Sequence, residues 1–330
     1  MTEVLTVRSG AGVAEGLTLC GVVHDEMFFL PAFLAHYRAM GVERFVLLDD
    51  ASTDGTGEFL AAQSDCVTVA GDRRYFDLID GKRALHAWRQ ALMDRFCAGR
   101  WGLFADADEF LALPDGMDLP TMIARLERRG TASVWGAMID MYPERAAEVL
   151  DPASDRFDLD GPWCFDARPH LRARPGADRP VSLYRGSRAR LLAENRIDTG
   201  EGAARRILTR LGLSRFLKLN NLGKVPLVRW DAGTRFDGSH RIAPPPDGPD
   251  MLAIMHFKFT ADLRRKIDDA LASGGYAGGS RQYRLMADLL AAMRAGGREF
   301  GGPRSMRMRV PGDLYDGGAG RLEDGGGHAA

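Results

Sequence analysis

Trp101-Gly-Leu-Phe-Ala-Asp106-Ala-Asp108-Glu109-Phe110-Leu111-Ala-Leu113 decides how this chain is read. An apolar run leads into three carboxylates and then turns apolar again. That is the pattern of a buried strand that surfaces only at its carboxyl end. Three acids so close together repel one another unless a positive charge sits among them. A divalent cation is one answer, because Mg²⁺ or Mn²⁺ takes hard oxygen ligands and shares them with a substrate phosphate. A solvated acidic turn is the other, and an Asp-X-Asp pattern alone does not choose between them.

The residues upstream supply context. Leu17–Val23 is a short apolar run rich in β-formers, followed by His24-Asp25-Glu26. Met27–Met40 places Phe29, Phe33, Leu34 and Tyr37 at helical spacing, with Gly41 closing the helix. Arg44–Leu48 reads as a second buried strand ending at Asp49-Asp50, Gly57–Gln63 as a helix, and Cys66–Val69 as a third strand. Strands alternating with helices at this spacing predict an α/β fold with a mainly parallel, right-handed sheet. Ligands bind such sheets at the carboxyl ends of the strands. His24–Glu26, Asp49-Asp50 and Asp106–Glu109 all fall there, which favours a ligand site over a solvated turn. Gly81–Phe96 reads as an amphipathic helix. Its start, Gly81-Lys82-Arg83, either aims two cations and backbone N–H groups at the same cleft or simply solubilises a helix end.

Downstream, Thr121–Arg129 predicts a helix and Ala132–Ile139 a strand ending at Asp140. Tyr142 to Gly200 reads as irregular loops and short strands covering the cleft, the usual place for acceptor selection. Val225–Trp230 reads as a strand that Pro226 sends to a sheet edge or a strand start. Leu252–Phe259 is a last short strand carrying His256 and Lys258. Thr260 is the expected N-cap of a helix over 261–272, and Tyr283–Arg294 a final helix. Gly-rich sequence from about Pro311 is expected to be disordered.

With 330 residues, 45% hydrophobic and 27% charged, the composition is that of an ordinary globular protein. A net charge of −1 gives no global electrostatic case for nucleic acid or an anionic membrane. Cys20, Cys66, Cys97 and Cys164 are scattered, which fits neither a zinc site nor a disulfide framework. No transmembrane segment and no leader pattern over Met1–Gly16 are read, so the expected location is cytoplasmic. Only five residues are Lys, at 82, 218, 224, 258 and 266.

Leu17–Val23, Val46-Leu-Leu-Asp-Asp-Ala-Ser-Thr-Asp-Gly-Thr56 and Trp101–Leu111 resemble the three signature segments of family 2 glycosyltransferases. The nearer likeness is to the Asp-X-Asp-Glu-Phe, family-2-like or DUF23-like subgroup. Met141-Tyr-Pro, Pro226-Leu-Val-Arg-Trp, Gly238-Ser-His240 and His256-Phe-Lys258-Phe also resemble it. The resemblance is firm over roughly 17–115 and looser to about 290.

The resemblance implies a GT-A fold, a Rossmann-like nucleotide-diphospho-sugar transferase sheet with flanking helices. It implies a UDP- or GDP-linked sugar donor, Mn²⁺ or Mg²⁺, and a glycan or glycolipid acceptor, as in polysaccharide biosynthesis. On this reading 1–16 is an N-terminal extension and 17–295 the transferase domain. Its nucleotide half is 17–115 and its acceptor and metal half 116–295, and 296–330 is a disordered tail. By position, Asp50 corresponds to the Asp that contacts the nucleobase, Asp106 to the one near the ribose, and Asp108 to the metal ligand that His256 completes. Asp25 stands where the subgroup usually has Asn before Glu26. Lys82, Arg83 and Lys258 are further cations for the donor phosphates.

Sugar transfer also needs a carboxylate to take the acceptor proton. The resemblance assigns none, since the common Glu-Asp pair and Gln-X-X-Arg-Trp motif are absent; Asp140 and Asp166 are the candidates, each of which also reads as a structural Asp. Glu109 is an anchor for a cation or Arg, Trp163 a sugar platform, and His240 either an acceptor-side or a structural His. Other metal–phosphate enzymes fit less well. A nucleotidyltransferase usually carries a Gly-rich signature after the first strand, which Val23-His-Asp-Glu-Met lacks, and no P-loop is present. A catalytically silent nucleotide- or sugar-binding protein of the same fold stays open.

Overall fold

Alternating β-branched strands and amphipathic helices produce the expected order at the amino end. In this computed structural model, residues 5–79, 81–168, 170–173, 182–200 and 222–323 are described. The first strands are β1 (Leu5–Ser9), β2 (Thr18–Val23), β3 (Arg44–Asp49) and β4 (Cys66–Gly71), with α1 (Leu30–Ala39) and α2 (Thr56–Ala61) between them. A small hairpin, β5 (Leu78–Ile79) and β6 (Lys82–Arg83), precedes α3 (Ala84–Phe96). Then come β7 (Trp101–Phe104), β8 (Glu109–Ala112), α4 (Leu119–Arg128), β9 (Ser133–Asp140) and β10 (Tyr142–Pro143). The rest is α5 (Ala147–Leu150), β11 (Trp163–Asp166), β12 (His170–Ala173), β13 (Ser182–Arg185), α6 (Gly186–Glu194), β14 (Gly223–Arg229), β15 (Arg235–Phe236), β16 (Ile242–Ala243) and β17 (Met251–His256). Helices α7 (Leu263–Ser273) and α8 (Ala277–Gly296), strand β18 (Ser305–Arg307) and α9 (Gly312–Asp316) complete it.

A nine-stranded sheet runs in the order β1-β4-β3-β2-β7-β14-β9-β17-β8. Within it β4, β3, β2 and β7 are parallel neighbours. β1 runs antiparallel to β4, and β14 antiparallel to β7. The fold is thus mixed α/β, a large sheet with a parallel core and flanking helices. From β2 the chain steps outward to β3 and β4, then returns to the other side of β2 as β7. That reversal is a topological switch point, where open α/β sheets bind ligands.

Two units divide the chain. Met1–Gly136, Lys224–Ile254 and Arg321–Ala330 form the first, and Ala137–Gly223 and Met255–Gly320 the second. Leu19, Phe45, Val46, Leu48, Trp88, Leu92 and Phe104 are buried in the first. In the second, Tyr142, Leu191, Phe259, Leu263, Ile267, Leu289 and Phe300 belong to one apolar cluster.

Several expectations are corrected. Helix α3 begins at Ala84, because Lys82-Arg83 pairs with Leu78-Ile79 as extended chain. The stretch from Tyr142 to Gly200 contains a nine-residue helix, α6. β14 lies inside the sheet, not at its edge. Its pairing to β7 uses Leu227–Arg229, beyond Pro226. Gly136 on neighbouring β9 leaves room for the proline ring, since a Cβ there would stand 3.0 Å from Pro226 Cδ. Thr260 is not the N-cap of α7; Asp262 occupies that position, and the Thr260 carbonyl accepts the Leu263 N–H. The final helix starts earlier than Tyr283, although left-handed residues Gly278–Ser280 interrupt its first turn.

The Gly-rich end, expected to be disordered, carries β18 against β11 and then α9. Arg321 exchanges backbone hydrogen bonds with Met251, and the Glu323 N–H reaches Asp250 Oδ1 at 2.8 Å. Residues 324–330 lie outside the described part. Low complexity did not prevent order here, because Asp250, which Arg125 and Arg129 also pair with, supplies an anchor.

Gly71 ends β4 under the Trp88 indole, and a Cβ there would stand 2.4 Å from two ring carbons. Gly71→Ala is therefore expected to cost about 1–3 kcal/mol through overpacking. Urea melts of the two proteins check it.

Candidate functional site

The turn between β7 and β8 holds Asp106 and Asp108, and Glu109 opens β8. The Glu109 N–H donates to the Asp106 carbonyl, and the Asp106 N–H donates to Glu109 Oε2 at 3.1 Å. Glu109 is 3% exposed and Asp108 7%. The positive charge that these acids require comes from a lysine. Lys224, near the start of β14 and beside β7, is 2% exposed. Its Nζ lies 3.0 Å from Asp106 Oδ2 and also donates to Glu109 Oε2. Burial pulls the Lys224 ammonium down, but Asp106 and Glu109 outweigh it and raise it above the usual lysine value.

A second cation acts on the same turn. Arg89 of α3 is buried between the rings of Phe104 and Phe236, 4.3 and 4.5 Å from their centroids. One guanidinium nitrogen donates to the Ser239 carbonyl at 2.7 Å, while its buried Nε has no partner. Dense protein around Asp106 drives its carboxyl up, yet Lys224 and then Arg89 overcome this and hold it at about 2. Half of the Asp106 side chain, 51%, still meets solvent. It is an ionised, presented carboxylate in a charged environment.

The loops after β2 and β3 are stitched together. His24 Nδ1 donates to the Asp50 carbonyl at 2.8 Å. Asp25 has φ 51°, a left-handed conformation that Asp and Asn tolerate better than most residues. Its Oδ1 accepts the Thr53 N–H at 2.6 Å, and its own N–H donates to Ser52 Oγ. The Glu26 N–H donates to Thr56 Oγ1, and the Met27 N–H to Asp54 Oδ2. Asp50 accepts the Tyr75 N–H at 3.0 Å and pairs with Arg74 Nε at 3.3 Å. Burial raises its carboxyl above the ordinary range in spite of both partners. The backbone of Lys82 is in β6, and its side chain lies outside the described part; Arg83 stacks over Phe76.

Strand β8, and with it Glu109, is fixed from α1. The Tyr37 hydroxyl donates to the Glu109 carbonyl and accepts the Leu111 N–H, both at 3.0 Å. His36 Nε2 donates to the Leu111 carbonyl at 2.8 Å. Two side chains thus satisfy the open edge of a terminal strand. Burial holds His36 down at about 4, so it stays neutral in this role.

In the second unit, Asp140 ends β9 and His256 ends β17. His256 Nδ1 donates to Asp140 Oδ1 at 2.7 Å, and Arg188 of α6 pairs with both Asp140 oxygens at 2.6 and 3.1 Å. Burial drives the Asp140 carboxyl up, but Arg188 and His256 carry it far below the usual carboxylate range. A fully buried carboxylate so engaged is a poor proton acceptor, and its hydrogen bond fixes the His256 imidazole. Asp166 is similarly locked. Arg190 clamps it at 2.7 and 2.9 Å, and the Tyr142 hydroxyl donates to it at 2.6 Å. Trp163 is no open platform, being 8% exposed, packed against Phe157 and Phe257, and donating to the Asp158 carbonyl. Lys258 Nζ lies 5.9 Å from the Tyr283 ring centroid, and His240 is half-buried in the loop between β15 and β16.

Among the described residues no group of three or more His, Cys, Asp or Glu is arranged to hold a metal ion. A magnesium-type ion does not require such a cage, since it characteristically takes one or two carboxylates and completes its shell with water and substrate phosphate. Asp108 supplies a hard oxygen donor of that kind. The Asp140–His256 bond puts the proton of a neutral His256 on Nδ1, the tautomer of an imidazole that ligates through Nε2.

Lys224, Arg89 and Arg188 reach these acids only through the fold. A signal for Lys224 existed, a lone lysine opening the apolar run Val225–Val228, because a buried charge must be paired. The chain matches no known family model and no curated protein.

Asp140→Asn is expected to cost about 3–5 kcal/mol, because it leaves Arg188 buried without its counter-charge. The folded-state values of Asp140 and Asp106 lie below the unfolded value of about 3.9, so their stabilisation is present above that pH and fades as pH falls through the folded values. Acid titration of the unfolding free energy in wild type and Asp140→Asn checks both points; the wild-type curve should drop below pH about 4, and less so in the variant.

Proposed function

We propose that this protein is a glycosyltransferase of the GT-A type that moves a sugar from a UDP- or GDP-linked donor to the hydroxyl of a glycan or glycolipid. One observation carries the reading. The loops following three adjacent parallel strands, β2, β3 and β7, carry His24–Glu26, Asp50 and Asp106–Asp108, all at the same edge of the sheet. The likeness of those same segments to family 2 glycosyltransferases supports it.

On this reading the loops after β2 and β3 hold the nucleoside, and Asp106 faces its ribose. Asp108 would hold Mn²⁺ or Mg²⁺, which when bound stabilises negative charge on the departing diphosphate. The protein's own part is preorganisation. Hydrogen bonds from the 25–27 backbone fix one loop to the next, and Lys224 holds Asp106 in place before any ligand arrives. No described helix is long and apolar enough to cross a membrane.

A nucleotide-binding protein without turnover is the second reading, favoured by the locking of Asp140 and Asp166 in arginine pairs. Slow donor hydrolysis separates the two. With Mn²⁺ and a panel of UDP- and GDP-sugars, a transferase releases nucleoside diphosphate from one donor even without acceptor, and Asp108→Ala reduces that release at least about 100-fold, the order expected when a group stabilising the transition state is lost. Tight binding with no release from any donor would leave only the second reading.

A further inference from the structure

The acidic turn already contains its cation. Lys224 enters from β14, a different part of the chain, and touches two of the three acids at once. The Lys224 side chain is 3% exposed, so its charge is met by these carboxylates and hardly by water. Glu109, at 5% side-chain exposure, ties this contact back to the Asp106 N–H. Arg89 adds positive charge near Asp106 and Glu109 while its guanidinium donates to the Ser239 carbonyl. A small, hard, positively charged group held between two carboxylate oxygens is what a divalent ion would otherwise supply.

We propose that Lys224 is the resident counter-cation of the Asp106–Glu109 turn, so the ligand-free protein has no divalent-ion site at Asp106 and Glu109. Lys224 is a positioning residue: it fixes Asp106 and keeps Glu109 from competing for metal. Removing its charge converts the turn into a carboxylate cluster that repels itself and binds divalent cations unaided. This inference concerns the protein without nucleotide and stands whether or not it transfers sugar.

The experiment titrates Mn²⁺ alone, without nucleotide, into wild type, Lys224→Met and Lys224→Arg, by calorimetry and by thermal unfolding with and without Mn²⁺ or Ca²⁺. Lys224→Met should unfold at lower temperature than wild type, recover much of the loss in either cation, and bind Mn²⁺ at least about tenfold more tightly, a modest change for two released carboxylates at close range. Lys224→Arg keeps the charge and should bind Mn²⁺ no more tightly than wild type. A loss of packing alone would lower stability equally with and without the cations. If Lys224→Met does not accumulate, the pair Lys224→Met with Glu109→Gln removes one charge of each sign and should fold without divalent ion. Wild type binding Mn²⁺ as tightly as Lys224→Met would overturn the proposal. So would a destabilised Lys224→Met that neither cation rescues, or a double variant no better folded than the single one.

Discussion

Lys224 between Asp106 and Glu109 is the interaction on which the rest of the first unit depends. A buried ammonium and a buried carboxylate are each costly to remove from water, and they persist only because each compensates the other. The pair joins β14 to the turn leaving β7 and to the start of β8, strands far apart in the sequence. The antiparallel pairing of β14 with β7 brings the lysine there, and Gly136 gives Pro226 the space it needs beside β9. Breaking the ion pair would leave like charges facing one another inside the unit.

The same economy operates at the second locked carboxylate. Asp140 collects Arg188 and His256 at the ends of neighbouring strands, and the His–Asp bond sets the imidazole tautomer. Rigid placement of a polar group by buried partners is what a binding or catalytic constellation requires. The sites of the two units thus share a logic in which arginine or lysine fixes an acid, and the acid fixes something else.

The parallel core was legible because β2, β3 and β7 are short apolar runs ending in polar clusters, and that pattern has few other readings. The acids of 106–109 were legible for the same reason. Their counter-charge was not. An apolar run opening with Lys224 announces a buried charge, but its partner is more than a hundred residues away, and only the sheet order joins them. Arg188 was hidden inside a stretch whose Pro, Asp and Arg content masked helix α6. Pro226 misled in the opposite direction, since a local rule about edge strands lost to a glycine on the neighbouring strand. The Gly-rich end misled too, because order there rests on Asp250 and its arginines, not on the composition of the segment itself.

Hydrogen exchange on the intact protein with UDP, GDP, CMP and TDP, each with Mn²⁺, tests the central claim most directly: that the three strand-end loops form one preorganised nucleotide site. The expected result is slower exchange at 24–27, 49–56 and 105–109 together, with a uridine or guanosine nucleotide and not with the others. Protection confined to other segments, or none with any nucleotide, would contradict it.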